Sequence, residues 1–138
     1  MPQLSKSQAT LRLIGDDLDP REVTERLGYS PSSHKTKGEI LIAKRTGRER
    51  VARTGSWHLT SVTREPADLN GQVREILGPL SDDMAVWENF ADRYKIDLFA
   101  SFFLGLGNEG YAVSPSTLRM LGERGIQLSL DIYGPDEE

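Results

Sequence analysis

Between Ile126 and Tyr133 apolar and polar residues alternate without a break, with Ile126, Leu128, Leu130 and Ile132 on one side of an extended chain and Gln127, Ser129, Asp131 and Tyr133 on the other. A period of two belongs to a strand with one face buried. The same pattern places Ala9, Leu11 and Leu13 opposite Thr10 and Arg12 within residues 8–14, and Trp57 and Leu59 opposite Ser56, His58 and Thr60 within residues 56–62. A fourth and longest strand, residues 95–104, sets Ile96, Leu98, Ala100, Phe102 and Leu104 against Asp97, Phe99, Ser101 and Phe103. Strands buried on both faces of a parallel sheet read as continuous apolar runs, so this alternation selects a mainly antiparallel sheet with one covered face.

The helices are marked by their ends. Asp19 as N-cap, Pro20 at the first helical position and Glu22 two residues on begin a helix that Val23 and Leu27 point inward and that Gly28 and Pro31 stop. Ser114-Pro115 repeats the device before a short helix carrying Leu118 and Leu121. Between these lie two amphipathic stripes, Leu69, Val73, Ile76, Leu77 and Leu80 behind Asp68, and Met84, Trp87, Ala91 and Tyr94 behind Asp82 or Asp83. Strand, cap with proline, short helix, glycine and strand thus occur twice, over 8–62 and 95–133, with a helical insert at 68–94 and a tail at 134–138. The expected fold is a single α+β domain spanning 1–138. It is built on a four-stranded, mainly antiparallel sheet of ferredoxin-like βαβ-(αα)-βαβ order, with the helices packed on one face.

Charge is unevenly spread. Residues 35–53 hold seven bases (Lys35, Lys37, Lys44, Arg45, Arg48, Arg50, Arg53) against two acids, a local +5 in a chain of net −4, so that the remainder carries −9. An irregular hairpin or long loop is expected there. The segment contains no aromatic residue, although Trp57 and His58 follow closely, and the acidic whole argues against a general nucleic-acid binder. With no cysteine, no apolar leader and no run of about 20 apolar residues, the expectation is a cytoplasmic protein that does not enter the membrane.

Reactive constellations are sparse. Gly105-Leu106-Gly107-Asn108-Glu109-Gly110 satisfies the dinucleotide-binding spacing and has Asp131 about twenty residues on. The next helix, however, starts only at Ser114-Pro115, too late for the glycine-turn amides to form the helix N-terminus that holds a pyrophosphate. His34 and His58 lack partners at metal-ligand spacing, and the Asp16-Asp17 and Asp82-Asp83 pairs stand at helix entries where carboxylates cap. Neither a cofactor nor a metal is expected, and no residue is assigned a catalytic role.

Asp19-Pro20, Val23-Thr24, Leu27-Gly28, Pro31, Gly38, the run from Gly55 to Ser61 and the closing Leu128 to Tyr133 resemble a bacterial family known as domain of unknown function 4279. The resemblance implies a stand-alone bacterial domain and no particular activity. The leading expectation is a non-enzymatic protein-interaction domain, as in small immunity proteins, acting on a partner protein or by self-association. A nucleic-acid or phosphoanion site on Lys35, Lys37, Arg45, Arg48, Arg50, Arg53 and Trp57 is the alternative, with His58, Asp131 and Tyr133 as further binding candidates on the polar strand face. A dispersed enzyme site is the third, drawing on Thr24, Ser61, His58, Asp131 and Tyr133.

Overall fold

Each alternating run is a strand with its apolar phase on the helix-covered side, buried in the core except for Leu130 and Ile132 of the last run. The structure, a computed structural model, describes residues 2–135. Strands β1 (Lys6–Gly15), β2 (Ser33–Lys35), β5 (Gly55–Thr60), β6 (Lys95–Phe103) and β7 (Gln127–Tyr133) form a sheet of order β2-β5-β1-β6-β7, while β3 (Ile40–Ile42) and β4 (Glu49–Val51) pair in a separate two-stranded arm. Helices α1 (Pro20–Leu27), α2 (Leu69–Leu77), α3 (Met84–Arg93) and α4 (Pro115–Glu123) complete the α+β fold. Buried residues of all four join Leu11, Leu13, Trp57, Leu98 and Ala100 in one cluster, so the helices cover a single face of the sheet.

The caps read from sequence do their expected work. Asp19, Asp68, Asp83 and Ser114 each accept a backbone N–H from the first turn of their helix, and Gly28 ends α1 at φ 77°, a conformation a side chain would strain. Gly55 has another reason. A Cβ there would lie 2.8 Å from the Leu18 carbonyl oxygen, so only glycine lets β5 pass this close to the turn after β1.

The sheet corrects the expected arrangement in two respects. It has five strands, because β2, hidden in the polar segment by its three-residue length, adds an edge beyond β5. The two halves are also not equivalent. β1 and β5 are antiparallel, pairing Arg12 with His58 and Leu13 with Trp57, whereas β6 and β7 are parallel, pairing Leu98 with Leu128. The physical cause lies in the connections. A single helix between β6 and β7 returns the chain to the end it left and so imposes parallel pairing, while in the first half β2 and the β3–β4 arm add a traverse that brings β5 in from the opposite end. Of the expected tail, residues 136–138 lie outside the described residues.

The glycine turn after β6 is filled from within. The Glu109 carboxylate accepts the Gly105 amide (2.8 Å), the Ser5 amide (3.2 Å) and the Ser5 hydroxyl (2.8 Å), and these donors hold it below the usual carboxylate range, the Gly105 amide foremost. The turn thus closes on a carboxylate of its own chain. The matching helix begins five residues beyond Gly110, at Pro115.

A basic cleft on the uncovered face of the sheet

The face turned away from the helices carries a polar row that crosses the sheet. Ser33, His58, Arg12, Asp97 and Gln127 are successive cross-strand partners on β2, β5, β1, β6 and β7. At its centre Arg12 grips Asp97 with two parallel hydrogen bonds, Nε to Oδ1 at 2.8 Å and Nη2 to Oδ2 at 2.6 Å, and the Ser129 hydroxyl donates to the same Oδ2 at 2.8 Å. The guanidinium lies over the Phe99 ring, 4.4 Å from its centroid, which shelters the pair from water. Burial pushes the Asp97 carboxyl up, but the bonds from Arg12 and Ser129 outweigh it and leave its pKa lowered, while the same bond raises that of Arg12.

This ion pair couples stability to pH. A folded pKa below the unfolded value of about 3.9 means that the unfolded chain binds the proton first, so the contribution is fully present above about pH 5 and is lost as pH falls through the folded pKa. We predict that Asp97→Asn costs about 2 kcal/mol at pH 7, less than a fully buried pair because Arg12 keeps some solvent contact. Urea denaturation of both proteins from neutral pH down to about pH 2.5 should show the gap closing in acid. An equal gap at every pH would refute this account of the pair.

Beside the row the β3–β4 arm stands over the sheet and leaves a cleft of about 500 Å³ lined by Ile14, Ser56 and His58 from the sheet, Lys35 from β2, and Leu41, Arg50 and Arg53 from the arm and its return. Ile14, Leu41, Val51 and Ala52 make part of its wall apolar, and its charged groups, Lys35, Arg50 and Arg53, are all cationic, with no ion-pair partner among the described residues. His58 sits where cleft and polar row meet. Burial, then repulsion from Arg12 and Lys35, lowers its pKa against the pull of Asp97, so the imidazole is neutral at pH 7 and offers one donor and one acceptor. A larger hollow of about 720 Å³ at the other end holds Arg64, but that guanidinium is already committed to Glu75 and Asp68.

The residues singled out from sequence are thus divided. Lys35, Arg50, Arg53 and His58 converge on the cleft. Arg45 and Arg48 lie exposed at the arm's turn, and Lys37 pairs with Asp16 at 3.5 Å. Trp57 belongs to the opposite face, a fully buried core residue with its indole N–H donated to the Thr24 hydroxyl at 3.0 Å, so it does not join the basic residues of the alternative site. Its position one residue from His58 in a strand is what turns it away. Asp131 and Tyr133 lie on β7, three strands and roughly 14 Å from β5, where Tyr133 stacks on Phe103 with centroids 4.9 Å apart. Thr24, Ser61, His58, Asp131 and Tyr133 are therefore not brought together. Sequence reasoning misses Arg12 and Asp97 as a pair, since each looks like an ordinary solvated strand residue until the register of β1 with β6 sets them side by side.

Among the described residues no three potential metal-ligating side chains cluster, and no helix is long and apolar enough to cross a membrane. No curated protein and no solved structure matches the chain. A family model described as domain of unknown function DUF4279 matches residues 5–135, which is nearly the whole sequence and all of the sheet, and the chain belongs to that family.

Proposed function

We propose that this domain acts by binding rather than by catalysis, and that its ligand is an organic phosphoanion received in the cleft beneath the β3–β4 arm. One observation carries the reading: three cations without ionic partners among the described residues, Lys35, Arg50 and Arg53, surround a partly apolar cleft of about 500 Å³ with a neutral imidazole at its floor. That volume is in the range of small-ligand sites, roughly 300–1,000 Å³. Arginines suit phosphate because their planar fork donates two parallel hydrogen bonds. The cleft rests on a sheet core whose ferredoxin-like reading is supported by the strands β2-β5-β1-β6, antiparallel throughout and extended by the α4–β7 unit.

Phenyl phosphate and inorganic phosphate are the probes. Calorimetry should give tighter binding for phenyl phosphate, whose ring meets Leu41 and Ile14, and Arg50→Ala and Arg53→Ala should each weaken it about tenfold, equivalent to one charge-assisted hydrogen bond of about 1.4 kcal/mol. Bound phosphate should also raise the pKa of His58, visible by proton NMR. Affinity that ignores both arginines, or no binding at millimolar phosphate, would sink the proposal. A second reading, a protein partner, draws on the arm itself, where Ile40 and Ile42 are exposed and Ile42 stands across from Glu49. Ile42→Ser would then weaken partner binding and leave phenyl phosphate affinity unchanged.

A further inference from the structure

We infer that the free edge of β7 pairs with β7 of a second copy of this chain, giving a two-fold symmetric dimer with one continuous sheet. β7 ends the sheet order, and its outer side has no neighbour among the described residues. The Tyr133 carbonyl accepts the Leu104 amide from the β6 side, at 3.0 Å. Because both backbone groups of a strand residue point the same way and alternate by residue, Gln127, Ser129, Asp131 and Tyr133 spend theirs on β6. Leu128, Leu130 and Ile132 aim theirs outward.

This edge lacks the devices that keep sheet edges apart. It has no proline, no lysine and a single charge over seven residues. Leu130 and Ile132 are 50% and 58% exposed although they lie on the helix-covered face, and α4, which packs on β7, adds Leu118 at 52%. Elsewhere that face is closed by helices, so the gap is confined to the edge.

A second copy is favoured over other occupants because β7 is complementary to itself in one register. In an antiparallel pair with the two-fold axis through Leu130, the outward residues oppose each other. Leu130 then meets the partner's Leu130, and Leu128 meets the partner's Ile132. On the other face Asp131 lies opposite the partner's Ser129 and Tyr133 opposite the partner's Gln127, so no two like charges are opposed. An axis through Asp131 would instead set the two carboxylates against each other. The axis through Leu130 also uses every outward backbone group of the strand, and it brings the exposed leucines of both copies to the same side of the extended sheet.

The interface is small, below the ~1,200 Å² of standard complexes, so dissociation in the micromolar range is expected. Light scattering at about 100 µM should give twice the 15.4 kDa chain mass. Leu130→Lys, which sets two ammonium groups on the axis of an exposed position, should give monomers with an unchanged circular dichroism spectrum. The chain has no cysteine, so single cysteines report the register directly. Opposed residues of a hydrogen-bonded pair have Cα atoms about 5.5 Å apart, within disulfide reach. With oxidised glutathione, Leu130→Cys should therefore form a covalent dimer rapidly, whereas Ile132→Cys should do so only when mixed with Leu128→Cys. A chain of 15.4 kDa at every concentration, or a Leu130→Cys variant that does not cross-link, would overturn the inference. Phosphate binding is read on separate residues and is unaffected by either outcome.

Discussion

Trp57→Ala should destabilise the domain by about 4–5 kcal/mol, more than the loss of any other single side chain in the sheet. Deleting a buried aromatic side chain typically costs about 3–5 kcal/mol, because the lost transfer free energy is joined by the cavity left behind. Trp57 is fully buried, and it also donates its indole N–H to Thr24 on α1, so the variant loses the bond that ties β5 to that helix. Against a total stability of about 5–15 kcal/mol, a loss of this size removes a large share of what holds the chain folded. Trp57→Phe keeps most of the volume and should cost only about 2 kcal/mol, and Thr24→Val about 1 kcal/mol. Urea midpoints for the three variants test the ranking. A loss below about 2 kcal/mol for Trp57→Ala would show that this part of the core collapses around the gap.

Gln72→Leu should cost about 3 kcal/mol even though it swaps a polar side chain for an apolar one inside the core. Gln72 is fully buried, donates both amide hydrogens, to the Ser7 carbonyl and the Val62 carbonyl at 2.9 Å each, and accepts the Ser7 hydroxyl at 2.7 Å. The Ser7 oxygen in turn accepts the backbone N–H of Asp68, the residue that caps α2, at 3.0 Å. A chain of donors thus runs from the helix start through β1 and back into the helix. The two carbonyls keep other partners, Arg64 N–H on Ser7 and the Ser61 hydroxyl on Val62, so the cost falls on three lost bonds and the stranded serine hydroxyl. The Ser7→Ala, Gln72→Leu double variant should be more stable than the sum of the single losses allows, because with both side chains gone neither strands the other, and the Asp68 N–H that loses its acceptor is already lost in Ser7→Ala alone. Strict additivity in a denaturation cycle would mean that the two side chains do not act together.

These two positions also show where sequence reading stops. Alternation alone assigns Trp57 to the inward phase of its strand, yet its nearness to His58 and to the basic segment suggests a ligand contact. Adjacency in sequence is opposition in a strand. Gln72 sits at an inward position of α2 next to Val73 and gives no local signal, because a glutamine on a helix is ordinarily solvated and nothing nearby distinguishes one whose partners are distant in the chain. The partners of the Arg12–Asp97 pair are likewise 85 residues apart. In the basic segment the excess of cations is legible, but which of them meet is not. Lys35, Arg50 and Arg53 converge because β2 pairs with β5 and the arm stands over it, while Arg45 and Arg48 are carried off at the turn.

By itself the sequence determined the four long strands, the helices with their caps, and the apolar side of each, because caps, prolines, glycines and a two-residue period act within a few residues of one another; the three-residue β2 is too short to show that period. Only the tertiary structure decided the strand order, the parallel pairing of β6 with β7, the row from Ser33 to Gln127 and the cleft beside it. Those depend on the direction each connection takes across the sheet and on the register that results, and both are fixed by burial of the whole core at once rather than by any local run of residues.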